Sequence, residues 1–219
     1  MTRRSYDQFC GLAGALDLVG ERWTLLVVRE LMTGPKRYSD LAEALTGIGT
    51  SLLATRLKQL ESDGVIERKH LAPPIASTVY ELTPTGEELA RALMPLALWG
   101  VRHAVPEQPD DSMRVKAEWA LLAFTHLADP AALAGLDLDI EFEVDGTRAY
   151  LRLRDGQARI LPGTETVSAA TTVRTDAATL AAVGAGRLSL PDSIAQGRVR
   201  VEGDIAALTP LLAALGELS

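Results

Sequence analysis

The feature that most limits what this chain can fold into is a short stretch near its middle that suits neither a helix, a strand nor a core. Val105-Pro-Glu-Gln-Pro-Asp-Asp-Ser112 holds two prolines, three acids and one other apolar side chain. Proline removes a backbone donor and fixes φ, and the acids resist burial, so the stretch reads as a linker over 105–112. A 219-residue chain cut there leaves two pieces, 1–104 and 113–219, each large enough for its own core. Charge divides at the same place. Residues 1–104 carry 12 basic and 12 acidic side chains, whereas 105–219 carry 10 and 17, so the whole net charge of −7 lies in the second half. Such asymmetry points to two units with different partners.

The first piece has helical periodicity. Leu12, Leu16 and Val19, then Trp23, Leu26 and Val27, recur at steps of three and four, which predicts helices near 9–19 and 22–33. Gly34-Pro35 stops the second. Ser39, followed by an acid at Asp40, is expected to cap a short helix that ends at Thr46-Gly47. Thr50 or Ser51 is expected to cap a longer one with Leu53, Leu57 and Leu60 inward and Gly64 as its terminating glycine. Val65–Leu71 and Ser77–Leu82 read as two strands, and Thr83-Pro84 opens a further helix to about 103, expected to bend at Pro95.

Two short helices, a tight turn and a hairpin describe a winged helix-turn-helix. With the leucines inward, Ser51, Thr55, Lys58 and in part Arg56 are expected to face outward, a mixture of small polar groups and cations that fits phosphates and base edges. Arg37, Ser39 and Thr50 extend that face, and Arg68, Lys69 and His70 on the hairpin add a basic rim. An ordinary solvated helix surface would have a similar composition. A domain of zero net charge can still bind a polyanion, because only nearby cations release counterions and distant carboxylates are screened beyond about 10 Å at 0.1 M salt.

The run Phe9-Cys-Gly-Leu-Ala-Gly-Ala-Leu-Asp-Leu-Val-Gly-Glu-Arg-Trp-Thr-Leu-Leu-Val-Val-Arg-Glu-Leu31 resembles the opening of HxlR-type transcriptional regulators, relatives of the MarR group. Gly34-Pro-Lys-Arg-Tyr-Ser-Asp-Leu41, Gly47-Ile-Gly-Thr-Ser-Leu-Leu-Ala-Thr-Arg-Leu-Lys-Gln-Leu-Glu61, Tyr80-Glu-Leu-Thr-Pro-Thr-Gly86 and Met94-Pro-Leu-Ala-Leu-Trp-Gly100 continue the resemblance in order. It covers about residues 6–104. It implies a homodimer whose helices near 50–63 enter successive major grooves of a pseudo-palindromic operator, with half-sites roughly 34–36 Å apart or a multiple of that. Leu12, Leu16, Leu89, Leu93, Leu96 and Trp99 offer more apolar surface than a small winged domain covers, and are expected at the dimer contact; packing within one chain would also account for them. Cys10 stands where several such regulators carry a thiol sensor, although Gly11 replaces the proline that often follows it, and a buried structural cysteine is the other reading.

After the linker, Val115, Trp119, Leu122, Ala123 and Leu127 predict a helix over about 113–127. Leu138–Val144 and Ala149–Arg154 then alternate apolar and charged residues around the turn signal Asp145-Gly146, with another at Asp155-Gly156. Ala158–Leu161, Thr171–Arg174 and Arg198–Glu202 add strands, Asp176 caps a helix to about Val183, and a terminal helix begins at Asp204. The segments Asp176–Gly186 and Ile194–Asp204 are similar to the sterol carrier protein type 2 fold, which implies an α+β layer with a five-stranded sheet and an apolar tunnel in lipid-carrying members. Trp119, Leu122, Phe124, Phe142, Leu180, Val183 and Leu190 could line such a tunnel, or simply fill the core.

The three histidines, His70, His103 and His126, lie in three different elements, and the single cysteine supplies no usual zinc set, so no metal and no cofactor is expected. Gly47-Ile-Gly49 lacks the third glycine and the preceding strand of a dinucleotide fingerprint, no nucleophile elbow or phosphate loop occurs, and no enzyme is expected. No long uncharged apolar run or leader-like start is present, and a lone cysteine needs no oxidising compartment, which favours the cytoplasm. The leading expectation is therefore a DNA-binding repressor answering to a hydrophobic small molecule or to Cys10 modification. The alternative is a lipid or small-molecule carrier whose winged domain serves dimerisation.

Overall fold

The computed structural model describes residues 5–72, 76–110, 112–204 and 208–209, without the side chains of Phe124 and Pro130. The chain divides into two compact units, residues 1–90 and 91–219. Residues 105–110 and 112, within the expected linker, form neither helix nor strand.

In the first unit, α1 (Gly11–Val19) and α2 (Thr24–Leu31) are joined by a tight turn, followed by β1 (Lys36–Arg37), α3 (Tyr38–Ala44) and α4 (Thr50–Ser62). The strands β2 (Ile66–His70) and β3 (Thr78–Leu82) come next, and α5 (Pro84–His103) begins at the end of this unit. The core is the apolar stripe of the sequence: Val27, Val28, Leu31, Leu41, Leu45, Leu53, Leu57, Leu60 and Ile66 are all buried. Burying each such side chain is worth about 1.5–3 kcal/mol, and leucines at 53, 57 and 60 put three of them on one face of α4. Gly64, at φ +70°, takes the left-handed turn that ends α4.

The wing is a three-stranded sheet in the order β1-β3-β2, all antiparallel. Strand β1 is an addition to the sequence reading: Lys36 pairs with Tyr80 and Arg37 with Val79, which ties the entry of α3 to the wing. Two cap expectations shift. The chain enters α3 at Arg37, whose backbone N–H donates to Asp40 Oδ2 at 2.8 Å, so Ser39 lies inside the helix instead of capping it. Gly49 precedes α4 without a side-chain cap, so Thr50 and Ser51 are its first helical residues.

Gly86 fixes the junction of wing and α5. A Cβ there would lie 2.1 Å from the Val65 carbonyl oxygen, so only glycine lets the first turn of α5 approach the start of β2 this closely. Thr83 Oγ1 accepts from the Gly86 N–H at 3.1 Å and completes the helix start.

The second unit is built on a five-stranded sheet of order β6-β5-β4-β7-β8. Its strands are β4 (Leu138–Val144), β5 (Thr147–Arg154), β6 (Gln157–Pro162), β7 (Thr171–Thr175) and β8 (Arg200–Gly203). Only β4 and β7 run parallel. The hairpin signals hold: Asp145 and Gly146, and Asp155 and Gly156, all have positive φ, as two-residue turns between twisted strands require. Alternation then sorts the faces. Ile140, Phe142, Leu151, Leu153, Ile160 and Val173 are buried together, while Asp139, Glu141, Glu143, Arg148, Arg152, Arg154 and Arg174 share the other face.

The helix expected over 113–127 is two short ones, α6 (Ala117–Ala120) and α7 (Leu122–His126). Trp119 and Leu121 N–H groups reach back three residues, to Lys116 and Glu118, so the backbone tightens instead of continuing an α-helix. Thr147 Oγ1 accepts from the Ala117 N–H at 2.9 Å and ties α6 to the start of β5. Two unpredicted helices, α8 (Pro130–Leu133) and α10 (Leu190–Ala195), flank the sheet strands in sequence. The helix α9 (Ala177–Gly184) starts as expected, with Asp176 accepting from the Thr179 N–H at 2.6 Å. The terminal helix expected from Asp204 falls almost entirely outside the described residues.

Candidate nucleic-acid interface

The outer surface of α4 collects the predicted residues. Thr50, Ser51, Thr55 and Lys58 are exposed, as are Arg37 and Ser39 beside them and Arg68, Lys69 and His70 on the wing. Their partners grade how free each one is. Thr55 Oγ1 donates back to the Ser51 carbonyl at 2.8 Å, and Ser39 Oγ donates to Asp40 at 3.3 Å. Lys69 donates to Glu81 Oε1 at 2.8 Å, a hydrogen bond that raises its pKa, and His70 Nδ1 lies 3.4 Å from Thr78 Oγ1. Arg68 lies 3.8 Å from Glu61, a loose solvated pair of little energetic weight.

Arg56 is the exception and corrects the sequence reading. It is 9% exposed, because position 56 lies three residues after Leu53 and four before Leu60, on the edge of the inward stripe. Its guanidinium faces into the protein. Nη2 donates to Glu21 Oε2 at 2.9 Å, Nη1 to Gln59 Oε1 at 2.7 Å and Nε to the Arg22 carbonyl at 3.3 Å. Sequence spacing could have shown the Arg56–Gln59 pair, three apart on one helix, but not the partners 34 and 35 residues away.

Tyr38 was also missed. From the first residue of α3 its hydroxyl donates to the Thr50 carbonyl at 2.8 Å, pinning the start of α4. Trp23 completes the support: it has φ +77°, its ring lies 3.7 Å from where a Cβ on Gly47 would sit, and the Arg22 guanidinium is 5.4 Å from the ring centre.

Cys10 is exposed at the N-cap of α1. The backbone N–H groups of Ala13 and then Leu12 favour its thiolate and lower the thiol pKa. Arg3 and Arg4, the cations nearest Cys10 in the sequence, lie outside the described residues. Leu12, Leu16, Leu96 and Trp99 are exposed, and Leu89 and Leu93 half-buried.

In the second unit, Leu122 and Phe142 are buried, and Trp119, Leu180, Val183 and Leu190 half-buried. The Phe124 side chain lies outside the described residues. A recess of about 240 Å³ opens elsewhere, lined by Arg152, Arg154, Asp155, Gln157 and Arg159, and none of the six tunnel residues with described side chains lines it. Acids hold two of its three arginines: Arg152 is bidentate on Asp139 at 2.9 and 3.1 Å, and Arg154 reaches Asp137 at 2.8 Å and Asp139 at 3.2 Å, while Arg159 donates to Gln157 at 3.3 Å.

A helix presented on its polar side, braced from behind and flanked by a hairpin that carries exposed Arg68 and Lys69 defines a winged helix-turn-helix DNA-binding protein. A family model described as HxlR-like helix-turn-helix matches residues 18–108. The HTH-type transcriptional regulator YodB of Bacillus subtilis is 33% identical over 95 residues, 43% of this chain and 85% of that protein. An uncharacterized HTH-type regulator of the same species, YvaP, is 33% identical over 92 residues, 42% of this chain and 85% of its own length. Rv3095 of Mycobacterium tuberculosis is 39% identical over 101 residues, which span 46% of this chain and 63% of that one. The solved reduced form of YodB aligns over 45% of this chain and 98% of its own at 32% identity, with a TM-score of 0.40. This chain belongs to the HxlR-like helix-turn-helix family and is a transcriptional regulator of that type. Residues 113–219 match a different model, described as alkyl sulfatase C-terminal, and not one named for the sterol carrier type expected there.

Proposed function

We propose that the chain is a cytoplasmic, homodimeric repressor that binds a pseudo-palindromic operator through α4 and its wing. The observation that carries the reading is the exposed face of Ser51, Thr55 and Lys58 on a helix whose opposite side is fully buried. Arg37, Ser39 and Thr50 extend the contact, and Arg68, Lys69 and His70 reach flanking backbone, the last two after loosening their present partners. Exposed Leu12, Leu16, Leu96 and Trp99, with Leu89 and Leu93, supply the dimer contact. Two copies of α4 would then address half-sites roughly 34–36 Å apart or a multiple of that.

The proposed division is a DNA-binding and dimerisation domain over 1–104, a linker over 105–112 and a sterol-carrier-like domain over 113–219. The last serves ligand binding or widens the dimer. Its five-stranded sheet with one apolar face, and the half-buried Trp119, Leu180, Val183 and Leu190, support an apolar effector. The exposure and lowered pKa of Cys10 support a second, thiol-based input.

The test is selection of duplexes from random-sequence DNA by the full-length protein, followed by anisotropy titration at several salt concentrations. A selected inverted repeat whose affinity falls steeply with salt supports the reading. No selected sequence, or an affinity indifferent to salt, overturns it.

A further inference from the structure

The Arg56 side chain touches three separate points of the first unit, and only one of them is on its own helix. Two of its donors close on the turn between α1 and α2, at the Glu21 carboxylate and the Arg22 carbonyl. That carbonyl belongs to the peptide whose orientation sets φ of Trp23. A tryptophan at φ +77° is costly for an L-residue and persists only where the surroundings hold it. Here the surroundings are the Arg56 fork on the preceding peptide, the Arg22 guanidinium 5.4 Å from the ring centre, and Gly47, where a Cβ would lie 3.7 Å from the ring edge. The turn carries a left-handed tryptophan, and Arg56 on α4 bonds to the two residues just before it.

We propose that Arg56, with Glu21, is a positioning residue: the pair locks the DNA-facing helix α4 to the α1–α2 turn and sets its inclination, without Arg56 touching DNA. The lock rests on the DNA-binding reading above. It uses the fork geometry of arginine, since a lysine offers one compact charge and cannot reach Glu21, Gln59 and the Arg22 carbonyl together, and it differs from a phosphate contact in two ways. It adds nothing to the count of neutralised phosphates. It also depends on an acid: by charge alone, removing Glu21 would favour a polyanion, whereas removing half of the lock weakens binding.

The experiment measures affinity for a duplex selected by the wild-type protein, at four or more salt concentrations, for wild type, E21Q, R56K and R56M. Glu21 is 62% exposed on its side chain, so E21Q is expected to fold even if R56M does not. The lock predicts that E21Q and R56K each weaken binding by about threefold or more, with unchanged slopes of log affinity against log salt. A slope shallower by about 0.9 in R56M would make Arg56 a phosphate contact and overturn the lock. So would wild-type affinity in R56K, or equal or tighter binding in E21Q. Thermal unfolding of E21Q, R56M and the double variant keeps the two claims apart. If wild type selects no DNA, the regulator reading fails alone, and non-additive melting shifts still support the Glu21–Arg56 lock while additive shifts overturn it.

Discussion

The Tyr38 hydroxyl donates a hydrogen bond to the Thr50 carbonyl oxygen across 2.8 Å, so the first residue of α3 holds the first residue of α4. The angle between the two helices of the helix-turn-helix is thereby set by a side chain, in addition to the buried leucines beneath. Replacing Tyr38 with Phe keeps the ring and removes only the donor. The expected loss is about 0.5–1.5 kcal/mol of stability in urea unfolding, with a matching modest drop in DNA affinity. An unchanged midpoint would show that water replaces the hydroxyl at no cost.

Lys58 is exposed at the middle of the outward face of α4. Lys58→Ala should leave the melting temperature within a degree or two and weaken binding to every duplex, specific or not. Loss of one phosphate contact lowers the salt slope by about 0.9, which anisotropy at a series of salt concentrations reads directly.

The Cys10 thiol is exposed and its pKa lies below the ordinary thiol value, because the Ala13 and Leu12 N–H groups at the start of α1 favour the thiolate. Alkylation by iodoacetamide should therefore titrate in at lower pH than for a free cysteine peptide. A rate profile coincident with the peptide's would refute the claim.

Asp139 in β4 is 9% exposed on its side chain and takes hydrogen bonds from Arg152 and Arg154. The Arg152 hydrogen bond is the main cause that holds its carboxyl below the usual aspartate range, against the opposing effect of burial. A depressed folded pKa contributes stability that is complete above the unfolded value near 3.9 and disappears as pH falls through the folded value. Wild type should thus lose stability as pH is lowered below about 4, and Asp139→Asn should show a weaker dependence there. At pH 7 the variant is expected to lose about 1.5–3 kcal/mol in denaturant unfolding.

Much of the first unit was legible because its signals are local. Leu53, Leu57 and Leu60 declared the inward side of α4, Gly64 its end, and Pro84 the start of α5. The same holds for the Asp-Gly turns at 145–146 and 155–156 and for the Asp176 cap. What stayed hidden depends on contacts between distant residues. A two-residue strand such as β1 has no periodicity to read, and its pairing with β3 joins positions some 40 residues apart. The leucine spacing places Arg56 in part on the outward side. Its fate was settled by Glu21 and the Arg22 carbonyl, which no spacing within α4 reveals. Ser39 is not a cap because the helix already begins at Tyr38, its entry held by Asp40 accepting from the Arg37 N–H, which leaves Ser39 inside the first turn.

The approach of Gly86 to the Val65 carbonyl has a consequence for how this chain can drift over time. Neighbouring positions on α5 can exchange one side chain for another and let the surroundings adjust, but here the obstacle is main-chain oxygen that the wing already uses to receive the Thr83 N–H. Even one added methyl group would pry the helix from the hairpin, at a cost of about 1–3 kcal/mol or more. Any descendant that keeps this corner is therefore expected to keep a hydrogen atom where others carry a side chain.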